Sequence, residues 1–353
     1  MESRRKRIPP LEKGRIRKDC VERVSIGRSH FEGMPVTVCI AGLMRWNYGS
    51  RERPEVGFAA IALSDRKLTA GDVEYEPNQR KVAILKNILV MVAGDFALHS
   101  QAIKNLFVHF NDESEPQPYD TALFYGAQIQ ALKRRQAEDL YLGPLGLNTD
   151  SFIAQQNDMS AHFISTVTEQ LQNYRGPDVE AIIVGRNKHN GGDLYVVDNT
   201  GTVSLLSDVG FAAIGIGAYH AKSQLMQTRY TNAATYVDAL ASLFAAKKAA
   251  EAAPGVSKST DIHLVFRNDI VLLNADLAQR MELIYNEYQT AREALVTESL
   301  GKLDKAVVEI AEAAEAHAKA NQNSNGTNAQ INERPNPNAP EGTHPDEAGK
   351  NKG

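Results

Sequence analysis

The sequence predicts a layered α+β fold, with two β-sheets facing each other and helices covering both outer faces. Three observations predict it. The periodic segments run in separate groups, in the order strands, two helices, strands, two helices, strands, and segregated groups argue layers rather than alternating βαβ units. Some strands, such as Ile88-Leu89-Val90-Met91-Val92, are apolar throughout, as a strand buried on both faces must be. The chain has 353 residues, enough for one domain with tails.

The elements follow in order. Thr37–Leu43 and Phe58–Leu63 are apolar runs of strand length. The polar stretch Arg45–Glu55, with Gly49 and Pro54, reads as the hairpin loop between them. Lys81–Leu85 and Ile88–Ala93 form the next pair, and Gly94 ends it. Ala97, Ile103, Leu106, Phe107 and Phe110 lie on one helical stripe. Longer helical patterns cover 119–140 and 149–174, interrupted at Gly143-Pro144. Strands return at Val179–Gly185, Leu194–Val197 and Thr202–Leu206, the last two joined by a turn at Asn199-Thr200-Gly201. Helical patterns at 218–230 and 233–250 follow, and strands at Asp261–Phe266 and Ile270–Leu273 close the set.

Four regions are expected: a basic flexible leader or propeptide at 1–33, the folded domain at 34–300, a helical extension at 301–321 and a disordered tail at 322–353. The leader carries Arg4, Arg5, Lys6, Arg7, Lys13, Arg15, Arg17 and Lys18. No aromatic residues interleave with these charges, so a nucleic-acid arm is a weak reading. The tail is rich in Asn, Pro, Gly and charge, and buries too little apolar surface to offset its ordering entropy. Residues 276–319 read as one or two amphipathic helices that pack on the domain, form an oligomer contact or stand free.

The net charge of −4 and 42% hydrophobic content are those of an ordinary globular protein, with no general demand for nucleic acid. No run of about 18 apolar residues marks a membrane span, and the first residues lack a secretory core. The only cysteines are Cys20 and Cys39, so no disulfide framework is indicated and a reducing, cytoplasmic setting is expected. The histidines, among them His99, His109, His162 and His263, show no metal-ligand spacing, and neither a metal nor a cofactor is expected. Gly215-Ile216-Gly217 lacks the third glycine and later acid of a phosphate-binding loop. Cys39 lies within a strand and reads as a buried, inert thiol.

Taken singly, the polar residues of the first strands have ordinary readings. Asp65 can cap a turn, Lys81 can be a solvated surface lysine, and Thr37 is a β-branched strand residue. Their order is more specific. Thr37-Val-Cys-Ile-Ala-Gly-Leu, Ile61-Ala-Leu-Ser-Asp65-Arg-Lys-Leu-Thr69, Arg80-Lys81-Val and Met91-Val-Ala-Gly94 stand in succession. Ile182-Ile-Val-Gly185, Leu194-Tyr-Val-Val-Asp198-Asn-Thr-Gly201 and Ala213-Ile-Gly-Ile-Gly217 come after them. Over about three quarters of the chain this set resembles the proteasome β-type subunits and bacterial proteasome-like proteins, which are N-terminal-nucleophile (Ntn) hydrolases of four-layer αββα architecture.

The resemblance implies a threonine-type peptidase or amidase. Thr37 is then the nucleophile, and its own amine, once free, accepts the proton. Asp65 and Lys81 organise the charge around it. Gly94 supplies an oxyanion N–H, and Thr69 sits on the strand edge that pairs with an extended peptide substrate. The implied assembly is a homo-oligomer, in the family a ring. Three features depart from the pattern. Val36 rather than glycine precedes Thr37, Ile216 stands in place of a serine between two glycines, and Pro254-Gly255-Val256-Ser257 does not match the later aspartate–serine pair. An alternative register puts Pro35, which has no hydroxyl, at the nucleophile position. The other functions left open are a non-catalytic assembly subunit and an amidase acting on a small molecule.

Overall fold

The computed structural model describes residues 37–47, 56–66, 68–70, 73–75, 81–112, 115–266 and 269–329. The leader, most of the Arg45–Glu55 loop and residues 330–353 lie outside these. The chain divides into two units, residues 1–282 and 283–353.

The first unit is mixed α/β and holds two five-stranded antiparallel sheets. One has the strand order β10-β1-β2-β11-β12, built from β1 (Cys39–Asn47), β2 (Val56–Asp65), β10 (Phe211–Ile214), β11 (Thr260–Val265) and β12 (Ile270–Leu272). The other has the order β5-β6-β7-β8-β9, from β5 (Val82–Leu85), β6 (Ile88–Gly94), β7 (Val179–Arg186), β8 (Gly192–Val197) and β9 (Val203–Leu205). A short ribbon pairs β3 (Leu68–Ala70) with β4 (Val73–Tyr75).

The apolar strands are explained by what lies on their two sides. Along β6, Ile88, Val90 and Val92 join one core cluster, while Leu89, Met91 and Ala93 join another. This is the two-residue period of a strand with both faces covered. The first cluster includes Leu98, Ala102 and Leu106 of α1 (Phe96–His109) and Ala122, Tyr125 and Ile129 of α2 (Pro118–Tyr141). The second contains Cys39, Ala41, Ala60 and Ala62 of the first sheet beside Ile182 and Val184 of the second, so the two sheets share a core. Helix α6 (Tyr236–Ala250) packs on β1 and β2 and also contacts α5 (Ala218–Gln227).

Short polar residues set the helix starts. The Asp95 carboxylate accepts from the Leu98 N–H at 2.8 Å and caps α1, and Thr235 caps α6. Between α2 and β7 the expected second helical region is divided. A turn of 3₁₀ helix at Gly143–Leu145 precedes α3 (Thr149–Ala154), another lies at Gln156–Asp158, and α4 (Ala161–Asn173) follows. Asn148 and Ser160 each cap a new start, which explains the break.

The segment after β12 is one helix, α7 (Ala275–Ala329), of 55 residues, where the sequence left one or two open. In the second unit, the side chains from Ala291 to Ala316 are all exposed, among them Leu295, Leu303 and Ile310.

Candidate functional site

The site begins with strand register. Cys39 of β1 is opposite Ser64 of β2, and the Asp65 N–H donates to the Val38 carbonyl at 3.2 Å. The start of β1 therefore lies beside the end of β2. Lys81 immediately precedes β5 in the other sheet, where its carbonyl accepts from Val92 N–H at 3.0 Å. Asp65 and Lys81, sixteen residues apart, approach from different sheets and meet at Thr37.

The Thr37 hydroxyl donates to Asp65 Oδ1 at 2.5 Å and accepts from the Lys81 ammonium. Lys81 Nζ also donates to Asp65 Oδ1 at 2.7 Å, as does the Val38 N–H at 2.9 Å. Asp65 Oδ2 accepts from the Ser257 N–H at 3.2 Å. Thr37, Asp65 and Lys81 are 3%, 1% and 4% exposed. At that burial a lone charge is prohibitively costly, whereas a paired and hydrogen-bonded one is tolerated. A hydroxyl held between a carboxylate and an ammonium is oriented, and has both an acceptor for its proton and a positive charge beside its oxygen.

The backbone of Thr37 is fixed from the opposite side. Its carbonyl accepts from the Gly217 N–H at 3.3 Å. Gly215 has φ of +84°, and a Cβ there would lie 2.4 Å from that carbonyl oxygen, so the close approach requires glycine on both counts. Ile216 lies between these two glycines.

The structure thus brings Thr37, Asp65 and Lys81 into one hydrogen-bonded group. Gly94 is not a hydrogen-bond partner of that group among the described residues. Gly94 ends β6 opposite Val179, with φ of +115° and the Asp178 carbonyl 2.1 Å from where a Cβ would stand. Thr69 pairs with Glu74 in the β3–β4 ribbon. Pro35 lies outside the described residues. Cys39 is buried, and desolvation pushes its thiol up to about 12, so it carries no thiolate near neutrality. No group of three or more His, Cys, Asp or Glu that could hold a metal occurs among the described residues. No helix among them is long and apolar enough to cross a membrane.

Two neighbouring features are not legible as site residues in the sequence: the Ser257 N–H that meets Asp65, and Lys247, whose ammonium donates to the Ser257 carbonyl. Ser257 stands in a stretch without a motif match, and its contact with Asp65 is made by a backbone N–H, which leaves no trace in residue type. Lys247 lies within an Ala-rich helix. A signal was present, since Leu240, Leu243, Phe244, Lys247 and Ala250 share the buried face of α6, and a lysine on that stripe needs a partner.

Comparison with known proteins corrects the family assignment. No protein-family model matches the chain, and no curated protein does. Solved structures similar to it include Anbu (ancestral beta-subunit) from Yersinia bercovieri, at 13% identity and TM-score 0.49, covering 73% of this chain and 97% of that one. Another is the Anbu (Gly-1) mutant from Hyphomicrobium sp. strain MC1, at 13% identity and TM-score 0.48, covering 73% of this chain and 96% of that one. These neighbours do not point to an Ntn hydrolase, and the motif-based assignment to that family is withdrawn. Similarity at this level says nothing about activity, so function has to be argued from the site.

Proposed function

We propose that Thr37, Asp65 and Lys81 form the centre of a threonine-type amide-bond hydrolase, latent while Thr37 is joined to Val36 and competent once that bond is cut. The observation that carries this reading is the Thr37 hydroxyl held between the Asp65 carboxylate and the Lys81 ammonium. In the intact chain the Thr37 nitrogen is an amide and cannot act as a base. Cutting frees an amine on the same residue as the hydroxyl. That amine takes the hydroxyl proton as the oxygen attacks the substrate carbonyl. The amide C–N bond breaks, the proton passes to the departing amine, and an ester to Thr37 remains. Water then hydrolyses the ester and restores the hydroxyl. Lys81 keeps positive charge beside the oxygen throughout, and Asp65 holds both partners.

In this reading Gly94 offers its N–H to the oxyanion, and Thr69 lies on an edge able to pair with an extended peptide. We read the packing as four layers, αββα. The helices outside the sheets then provide surfaces for a homo-oligomer of ring form. Sedimentation at micromolar concentration tests this, and a monomer would remove the ring.

The test of activity is a full chain carrying a specific protease site that ends at residue 36. After cutting, it should turn over fluorogenic peptides, and Thr37→Ala should not. Intact mass of the purified natural chain reports whether residues 1–36 are removed. The burial of all three side chains favours a second reading, a non-catalytic assembly subunit in which the cluster only pins β1 to both sheets. No turnover by any cut form would select it.

A further inference from the structure

The Asp65 carboxylate depends on a segment distant in sequence. Its Oδ2 is met by the Ser257 N–H, in the connection between α6 and β11. Behind that connection lies Lys247, on α6, with 0% exposure. Its three N–H bonds go to Glu251 Oε1 at 2.5 Å, the Ser257 carbonyl at 2.7 Å and the Lys258 carbonyl at 2.9 Å. Residue 257 is thus held from two sides: its carbonyl accepts from Lys247, and its N–H donates to Asp65. Glu251 also pairs with Lys248 at 2.7 Å, and Lys248 with Glu282 at 2.7 Å, so the acid that balances Lys247 is itself anchored.

Packing alone does not account for this ammonium. The buried face of α6 is otherwise made of Ala, Leu and Phe, and a leucine would cover the same surface without a desolvation cost. The charge does what a leucine cannot, gathering two backbone carbonyls of the segment that touches Asp65. Burial lowers the Lys247 pKa, while Glu251 and the field of Asp65 raise it, and Lys248 lowers it.

We infer that Lys247 is a positioning residue for the Thr37 site: it fixes the backbone at 257–258 so that the Ser257 N–H meets Asp65, which in turn holds the Thr37 hydroxyl. This inference rests on the reading of that cluster as a catalytic centre.

The test uses the full chain with Lys247→Met, which keeps the length but loses the charge, and Lys247→Gln, which keeps two N–H donors. Amide hydrogen exchange is followed at Ser257 and along β6, and turnover is measured after cutting before Thr37. In the unaltered chain the Ser257 amide should be protected. In Lys247→Met it should exchange about tenfold faster, the equivalent of one hydrogen bond, with β6 unchanged. In the cut form kcat should fall about tenfold with KM little changed, and Lys247→Gln should lie between. Unchanged Ser257 exchange in a folded variant overturns the inference, as does unchanged kcat in an active enzyme. If neither variant folds, the unaltered chain decides: protection at Ser257 supports the clamp, and exchange at the rate of free peptide overturns it. No turnover by the cut, unaltered chain removes the hydrolase reading instead, and with it the catalytic purpose of the clamp, while exchange still decides whether the clamp exists.

Discussion

Two of the buried polar clusters among the described residues solve the problem of burial differently. At the end of β6, His99 Nε2 lies 2.9 Å from the Ala93 carbonyl, and Nδ1 lies 2.5 Å from the Tyr125 hydroxyl. A carbonyl only accepts, so Nε2 carries the proton and Nδ1 accepts from tyrosine. Burial pushes the His99 pKa down to about 4 and raises that of Tyr125, so this cluster is neutral near pH 7. The Thr37 cluster instead buries a carboxylate and an ammonium together with a hydroxyl. A neutral network of this kind stabilises a helix–strand junction at small cost. A buried ion pair is rarely the cheaper way to stabilise a fold, and its presence at Thr37 is what suggests chemistry there.

The largest effect should come from removing one charge of the pair. Lys81→Ala leaves Asp65 buried without its counter-ion and should cost about 3–5 kcal/mol, read as a lowered denaturant midpoint, along with all turnover of the cut form. The same truncation at an exposed lysine such as Lys302, 73% exposed, should be nearly silent.

Next comes the pH dependence of the neutral cluster. The folded His99 titrates near 4 against 6.5 when unfolded. Above about pH 6.5 neither state holds the proton. Below it the unfolded state binds a proton that the folded state refuses, so stability falls with pH down to about 4. The loss reaches about 3 kcal/mol at full extent. Replacing His99 with glutamine should remove this component, so the wild-type advantage over His99→Gln narrows from pH 6.5 to 4. A constant difference would show that His99 is not held neutral.

Smaller still is Thr37→Ala in the intact chain. The Lys81–Asp65 contact survives it, and the stability loss should be about 1–2 kcal/mol. The smallest effect is expected one residue from the site. The buried Ser64 hydroxyl has no hydrogen-bond partner among the described residues, so Ser64→Ala should be neutral or raise stability by up to about 1 kcal/mol. A clear destabilisation would mean that the hydroxyl has a partner, such as bound water.

The strands were legible because burial on both faces writes a continuous apolar run, as in β6 and β7. The β3–β4 ribbon and β10 were not, although β9 and β12, equally short, were read as strands. At the site, Thr37, Asp65 and Lys81 were legible only jointly, through their order along the chain, since each alone has an ordinary reading. The Ser257 contact with Asp65 is made by a backbone N–H, which residue type does not record. The same motifs suggested a family that the comparisons do not support, because short apolar motifs with glycine report packing needs that many sheets share. Lys247 could have been found, since helical periodicity places it on the buried stripe of α6.

In the proposed chemistry the Thr37 hydroxyl, once its amine is free, attacks amide carbonyls. The most direct measurement is turnover of a fluorogenic peptide panel by the full chain cut between residues 36 and 37, beside the uncut chain and the cut Thr37→Ala form. The proposed chemistry predicts turnover by the first alone, with an ester-linked adduct on the peptide that begins at Thr37 when the reaction is stopped early. Equal turnover by cut Thr37→Ala, or by the uncut chain, would contradict it.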